Sequence, residues 1–166
     1  HVSNGMGCQD TAKTFIRVIK DRNIYFPNAF SPNDEMFASG SDDGIIIVWD
    51  AETGDPIWSF QGYLISVLSI VFSPDSNYIL TGTFSNALNL WDARTGRVVE
   101  SYFGHTSSVN DVAFSHDGTR IVAGLDEASV ALWDVENPEI LRQYQGHSLI
   151  VNSVAFSPDD TQIISG

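Results

Sequence analysis

Cysteine occurs once, at Cys8, so the chain can form no internal disulfide and offers no cysteine-based zinc site. A reducing compartment, the cytoplasm or the nucleus, is the expected home. Basic residues are also scarce: 8 Lys and Arg stand against 21 Asp and Glu, a net charge of −13. Nucleic-acid binding needs clustered cations that displace counterions from phosphates, and these eight are scattered, so nucleic acid and anionic membrane are poor partners. No apolar run approaches the ~20 residues a membrane helix requires, and no basic-then-apolar signal segment opens the chain. Chemistry-bearing motifs are missing as well. There is no GxxxxGK[ST] phosphate loop, no HExxH pair, and the four histidines at 1, 105, 116 and 147 lack short metal-ligand spacing. Asp42-Asp43-Gly44 and Asp159-Asp160 do not continue into a calcium loop, and turn chemistry explains both. No metal and no cofactor are expected.

What the chain does contain is a repeat. Phe-Ser-Pro begins at Phe30, Phe72 and Phe156, with Phe-Ser-His at Phe114, and Trp-Asp recurs at Trp49, Trp91 and Trp133, all at a spacing of 42 residues. A fixed period of this length means an array of like units. Within one unit, four short β-branched or alternating stretches are separated by turn residues, and no stretch keeps helical spacing after residue 23. In the clearest unit the predicted strands are residues 109–114, 120–123, 129–133 and 140–144, with a looser connection over 135–138. A lone four-stranded sheet has two apolar faces, so neighbouring sheets must stack, and radial stacking builds an all-β propeller. The acidity is uneven: residues 1–22 hold four basic and two acidic groups, while 23–166 hold four basic and nineteen acidic. Many carboxylates, such as Asp75, Asp117 and Asp159, fall at recurring turns, which gives them an architectural reading.

Gly-His at 104–105 and 146–147, with Trp133-Asp134 following 28 residues after the first His, resembles the WD40 repeat from about residue 28 onward. The 42-residue rhythm is also similar to the WD40 arrays of fungal NACHT-type incompatibility proteins. The expected fold is an incomplete WD40 β-propeller of about three full four-stranded blades plus part of a fourth. Repeats run approximately 28–69, 70–111, 112–153 and 154–166, and 1–27 form a degenerate N-terminal segment or the remnant of a preceding blade. The array is expected to be a fragment of a longer one. Pro27 and Asn28 interrupt what should be an inner strand.

The resemblance also implies a buried hydrogen-bonded set in each blade: the His of Gly-His, a Ser or Thr on the second strand, an Asp in the next turn, and the Trp. Carried over, these are Ser39, Asp43 and Trp49 in the first blade, with Asp21 in place of His. The second has Thr81 and Trp91, with Tyr63 and Ser85 replacing His and Asp. His105 and Trp133 follow in the third, with Ala123 and Glu127 as replacements, and the fourth has His147 and Ser165. The set looks like a hydrolytic triad on paper, yet a catalytic triad needs one exposed nucleophile beside an oxyanion site, not a copy in every repeat. No blade holds the full set, so individual blades should be weak.

Function is then expected at loops, where the resemblance places a partner-binding face at the turn before the third strand and the loop after Gly-His. The matching residues are Asp42, Phe84 and Asp126 in the first group, and Leu64, Ile65, Thr106, Ser107, Leu149 and Ile150 in the second. Phe84, Leu64, Ile65, Leu149 and Ile150 are large apolar residues where solvent is expected. The expected function is a non-catalytic protein-interaction scaffold with protein partners and self-association through open blade edges. The alternatives are a propeller hydrolase and a decayed gene fragment without autonomous function.

Overall fold

The computed structural model describes residues 27–62 and 65–166. Turn residues cut the described chain into fourteen strands and no helix. β1 (Asn28–Phe30), β2 (Met36–Gly40), β3 (Ile45–Asp50) and β4 (Pro56–Gln61) form one antiparallel meander. The second consists of β5 (Val67–Phe72), β6 (Tyr78–Thr83), β7 (Leu88–Asp92) and β8 (Val98–Ser101). The third contains β9 (Val109–Phe114), β10 (Arg120–Leu125), β11 (Ser129–Asp134) and β12 (Asn137–Gln145), and β13 (Val154–Phe156) pairs with β14 (Ile163–Ser165) in the fourth. The first strands pack on one another in sequence, β1 on β5, β5 on β9 and β9 on β13, so they form the inner edge of a row of blades. These sheets do not close into a ring.

The 42-residue repeats are offset from the sheets, because β5 and β9 begin at Val67 and Val109, ahead of the repeat boundaries drawn after residues 69 and 111. Two further details differ from the sequence reading. The connection over 135–138 is a tight turn of two residues, and Asn137 and Pro138 already belong to β12. Proline is tolerated there because β12 is the outer edge of its sheet, and the Pro138 carbonyl accepts from Phe103 N at 3.1 Å. Asn28, expected with Pro27 to interrupt the inner strand, belongs to β1, and the Pro27 carbonyl just before it accepts from Gly40 N at 2.8 Å. Residues 1–26 of the N-terminal segment, with Asp21, lie outside the described residues, as does Tyr63.

The core lies between blades. Met36, Ala38, Ile46 and Val48 of the first meet Val67, Ile70, Ile79 and Trp91 of the second. Leu80, Leu88, Leu90 and Tyr102 of the second meet Val109, Ile121, Ala131 and Trp133 of the third. Val122, Val130 and Leu132 of the third meet Val151, Val154 and Phe156. The second strands β6 and β10 are therefore buried on both faces, which explains their continuous apolar runs. An aromatic ring on the outermost strand, or directly after it, docks on the next blade's tryptophan: the Phe60 ring lies 4.7 Å from that of Trp91 and the Tyr102 ring 6.2 Å from that of Trp133.

The small-Gly-small segment has a steric cause. Gly40, Gly82 and Gly124 stand 42 residues apart on the second strands, and each faces a valine at the start of the following blade. A Cβ on Gly82 would come within 2.6 Å of Val109 Cγ1 and 3.0 Å of Val109 O, and one on Gly124 within 2.9 Å of Val151 Cγ1. Space, not backbone conformation, demands glycine. Polar staples reinforce the same interfaces. Asp111 on β9 accepts from Ser69 Oγ of the preceding blade at 3.0 Å and from Val154 N of the following blade at 2.9 Å. At the turns joining first to second strands, Asp160 accepts from His116 N and Asp117 N of the preceding blade at 2.9 and 3.0 Å, and its carboxylate contacts His116 Nδ1 at 2.8 Å.

Recurring carboxylates cap turns. Asp117 Oδ1 accepts from Ser115 Oγ, Thr119 N and Thr119 Oγ1 at 2.7 to 2.9 Å, and Asp159 accepts from the equivalent Ser157 and Thr161 groups. The serine hydroxyls lead in holding both carboxyls down to about 2 from the ordinary 3.8, joined by the threonine groups. Asp50 and Asp92, each following a Trp, cap their turns in the same way.

Two outcomes are expected. Gly82→Ala should lower the stability of the array by roughly 1–3 kcal/mol through overpacking against Val109, read as a drop in the urea midpoint. Carboxyl groups depressed in the folded state contribute stability above their unfolded value of 3.8, and that contribution is lost as pH falls toward about 2. The urea midpoint should therefore fall over that interval, and fall less steeply in an Asp117→Asn, Asp159→Asn variant.

Candidate protein-binding face

Each meander has two ends. The turns between second and third strands share one end with the loops that lead into the next blade. At that end backbone and serine hydroxyls form a chain of bonds from blade to blade. Ser66 Oγ donates to Asp42 O at 3.3 Å, and Ser66 O accepts from Phe84 N at 3.0 Å. Ser108 Oγ then donates to Phe84 O at 3.0 Å, and Ser108 O accepts from Asp126 N at 3.2 Å. Leu125 O, next to Asp126, accepts from Val151 N of the following blade at 3.2 Å. Asp42, Phe84 and Asp126 are thus brought onto one rim beside the loops carrying Ile65, Thr106, Ser107, Leu149 and Ile150. Leu64 lies outside the described residues.

Exposure separates these residues. Phe84 is 58% exposed, Leu149 77%, Ile150 48% and Ile65 39%. Thr106 and Ser107 are engaged locally: Thr106 Oγ1 donates to Glu127 Oε2 at 2.9 Å and Ser107 Oγ accepts from Glu127 N at 3.2 Å. Asp126 Oδ1 accepts from Asn110 Nδ2 at 2.8 Å. Sequence reasoning missed Ser66, Ser108 and Asn110, which hold this rim in place. Ser66 and Ser108 stand 42 residues apart, each directly before a first strand, and that period was the available signal.

The buried polar set is assembled piecemeal. Trp49 Nε1 donates to Ser39 Oγ at 3.1 Å and Trp91 Nε1 to Thr81 Oγ1 at 2.9 Å. Asp43 accepts from Ser41 Oγ and Ile45 N, which makes it a cap of its own turn. In the third blade Ala123 offers no hydroxyl, so Trp133 Nε1 donates to Phe103 O at 3.1 Å instead. His105 Nε2 donates to Asn86 O of the preceding blade at 2.9 Å, and its ring stands edge-on to Trp133. Glu127 does not complete the set with His105, because Thr106, Ser129 and Gln143 donate to its carboxylate. His105 Nδ1 is buried without a hydrogen-bond partner, and burial pushes the imidazole below its ordinary 6.5, against the opposing pull of the Asn86 carbonyl and Glu127. In the fourth blade His147 Nε2 lies 2.8 Å from Ser165 Oγ.

Four-stranded meanders joined through their inner strands, with a hydroxyl on the second strand accepting from the tryptophan of the third, define β-propeller blades. Residues 28–50, 54–92, 96–134 and 138–166 match the family described as WD domain, G-beta repeat, and the chain belongs to that family. No curated protein matches the chain. WD40 domains serve generally as platforms for protein–protein interaction, and that class applies here.

The lone nitrogen of His105 gives a direct test. Ala123 occupies the position of Ser39, Thr81 and Ser165, and the last of these reaches a histidine ring. Ala123→Ser should supply the missing partner and raise the urea midpoint by the equivalent of about 1 kcal/mol. An unchanged or lower midpoint would show that the hydroxyl cannot reach the ring.

Proposed function

We propose that the chain is a non-catalytic protein-interaction scaffold whose partner docks on the rim formed by Asp42, Ile65, Phe84, Asp126, Leu149 and Ile150. The observation that carries this reading is the state of Phe84. Its ring is more than half exposed, while its backbone is fixed on both sides, by Ser66 O at its N–H and by Ser108 Oγ at its carbonyl. An exposed aromatic on a fixed backbone is poised as an interface anchor, because little backbone ordering remains to oppose binding. Leu149, Ile150 and Ile65 extend the apolar surface onto neighbouring loops. Against a hydrolase, Ser165 stands where Ser39 and Thr81 accept from an indole, which favours a structural role for its contact with His147.

The test uses the full-length protein. Phe84→Asp and Leu149→Asp alter exposed side chains and should leave the circular dichroism spectrum unchanged. The affinity of a captured partner should fall roughly thirty-fold with Phe84→Asp, the loss typical of a central aromatic anchor. An unchanged set of partners, quantified by mass spectrometry, would remove this rim as the site.

A further inference from the structure

Resting on that reading of the rim, we infer that its occupant is a basic segment of a protein partner, Lys or Arg side chains flanking an apolar anchor that covers Phe84. The loops and turns at this end carry Asp42, Asp43, Asp126 and Glu127, and among the described residues they carry no Lys or Arg. The arginines of the described residues lie elsewhere: Arg94 and Arg97 beside the turn at the opposite end, Arg120 at the start of β10, and Arg142 within β12 over the Tyr144 ring. The Arg94–Glu35 ion pair and the His116–Asp160 contact are also at the opposite end. The rim's negative charge is therefore not neutralised from within the described fold.

The four carboxylates are not equivalent. Asp43 and Glu127 are absorbed by their own turns and neighbours. Asp42 is exposed, and its carboxylate has no partner among the described residues. Asp126 bonds only the neutral amide of Asn110. Asp42 and Asp126 occupy the position of Phe84 in the two adjacent blades, and the chain of bonds through Ser66 and Ser108 sets one acidic residue on either side of Phe84 along the rim. An apolar centre flanked by unmatched anionic groups selects a cation–apolar–cation pattern, repels an acidic segment, and gives a neutral one only the apolar contact.

The experiment uses the full-length protein and three short fluorescent peptides that share the same Leu and Phe anchors, flanked by Arg, by Ser or by Glu. Anisotropy titrations are run at low and high salt. The Arg-flanked peptide should bind tightest, the Glu-flanked one weakest, and the gap should narrow in high salt. Asp42→Lys and Asp126→Lys should each weaken the Arg-flanked peptide roughly five-fold, as for an exposed ion pair, and leave the Ser-flanked peptide unchanged. Phe84→Asp should weaken both. If the three peptides bind alike and Phe84→Asp weakens all, the basic occupant is wrong while the rim remains the site. If the Arg-flanked peptide binds but is indifferent to Phe84→Asp, both readings fail. Absence of binding by any peptide overturns the basic occupant.

Discussion

The fold depends on a place where a side chain is missing. Gly40, Gly82 and Gly124 leave room on each second strand for a valine of the next blade, and a single methyl at Gly82 would collide with Val109. That close approach brings the first strands into register, and everything else follows from it. With the inner strands in contact, the apolar faces of adjacent sheets close over Leu80, Ile121 and their neighbours. The outer strands then come near enough for Phe60 and Tyr102 to rest against Trp91 and Trp133. The hydrophobic effect supplies the drive, and glycine sets the distance at which it acts.

Polar groups in this array do a different job from the apolar core. The indoles of Trp49 and Trp91 tie two strands of one blade, whereas Asp111, Asp160, Ser66 and Ser108 tie one blade to another. The second kind fixes how the blade ends align, and the candidate binding rim consists of those ends. Stacking and recognition therefore draw on the same hydrogen bonds. His105 shows what happens where a member of the set is replaced: with Ala123 opposite and Glu127 engaged elsewhere, one buried nitrogen is left over, yet Trp133 finds another acceptor and β10 and β11 stay paired in register.

Much of this was legible in the sequence because the period is rigid. Strand β9 over Val109–Phe114 follows directly from alternation and turn residues, and the capping role of Asp117 and Asp159 follows from their recurrence. The exposed ring of Phe84 was legible for the same reason. Pro138 misled, because a rule about proline in sheets cannot tell an edge strand from a central one without the topology. The switch of Trp133 to Phe103 O was hidden too, since a carbonyl acceptor leaves no trace in residue type. The role of Asp111 was hidden as well, because its partners, Ser69 Oγ and Val154 N, come from two other blades.

The Gly–Val contact has a consequence for inheritance. Because glycine recurs at 40, 82 and 124 and valine at 67, 109 and 151, removing 42 residues between equivalent points would seat Val151 on Gly82 as Val109 is seated now. A whole added unit would likewise meet surfaces of the same shape on both sides. Recombination between copies of the repeat can thus lengthen or shorten the array at little steric cost, provided it proceeds in whole units, and each such event replaces one set of loop residues on the rim with another.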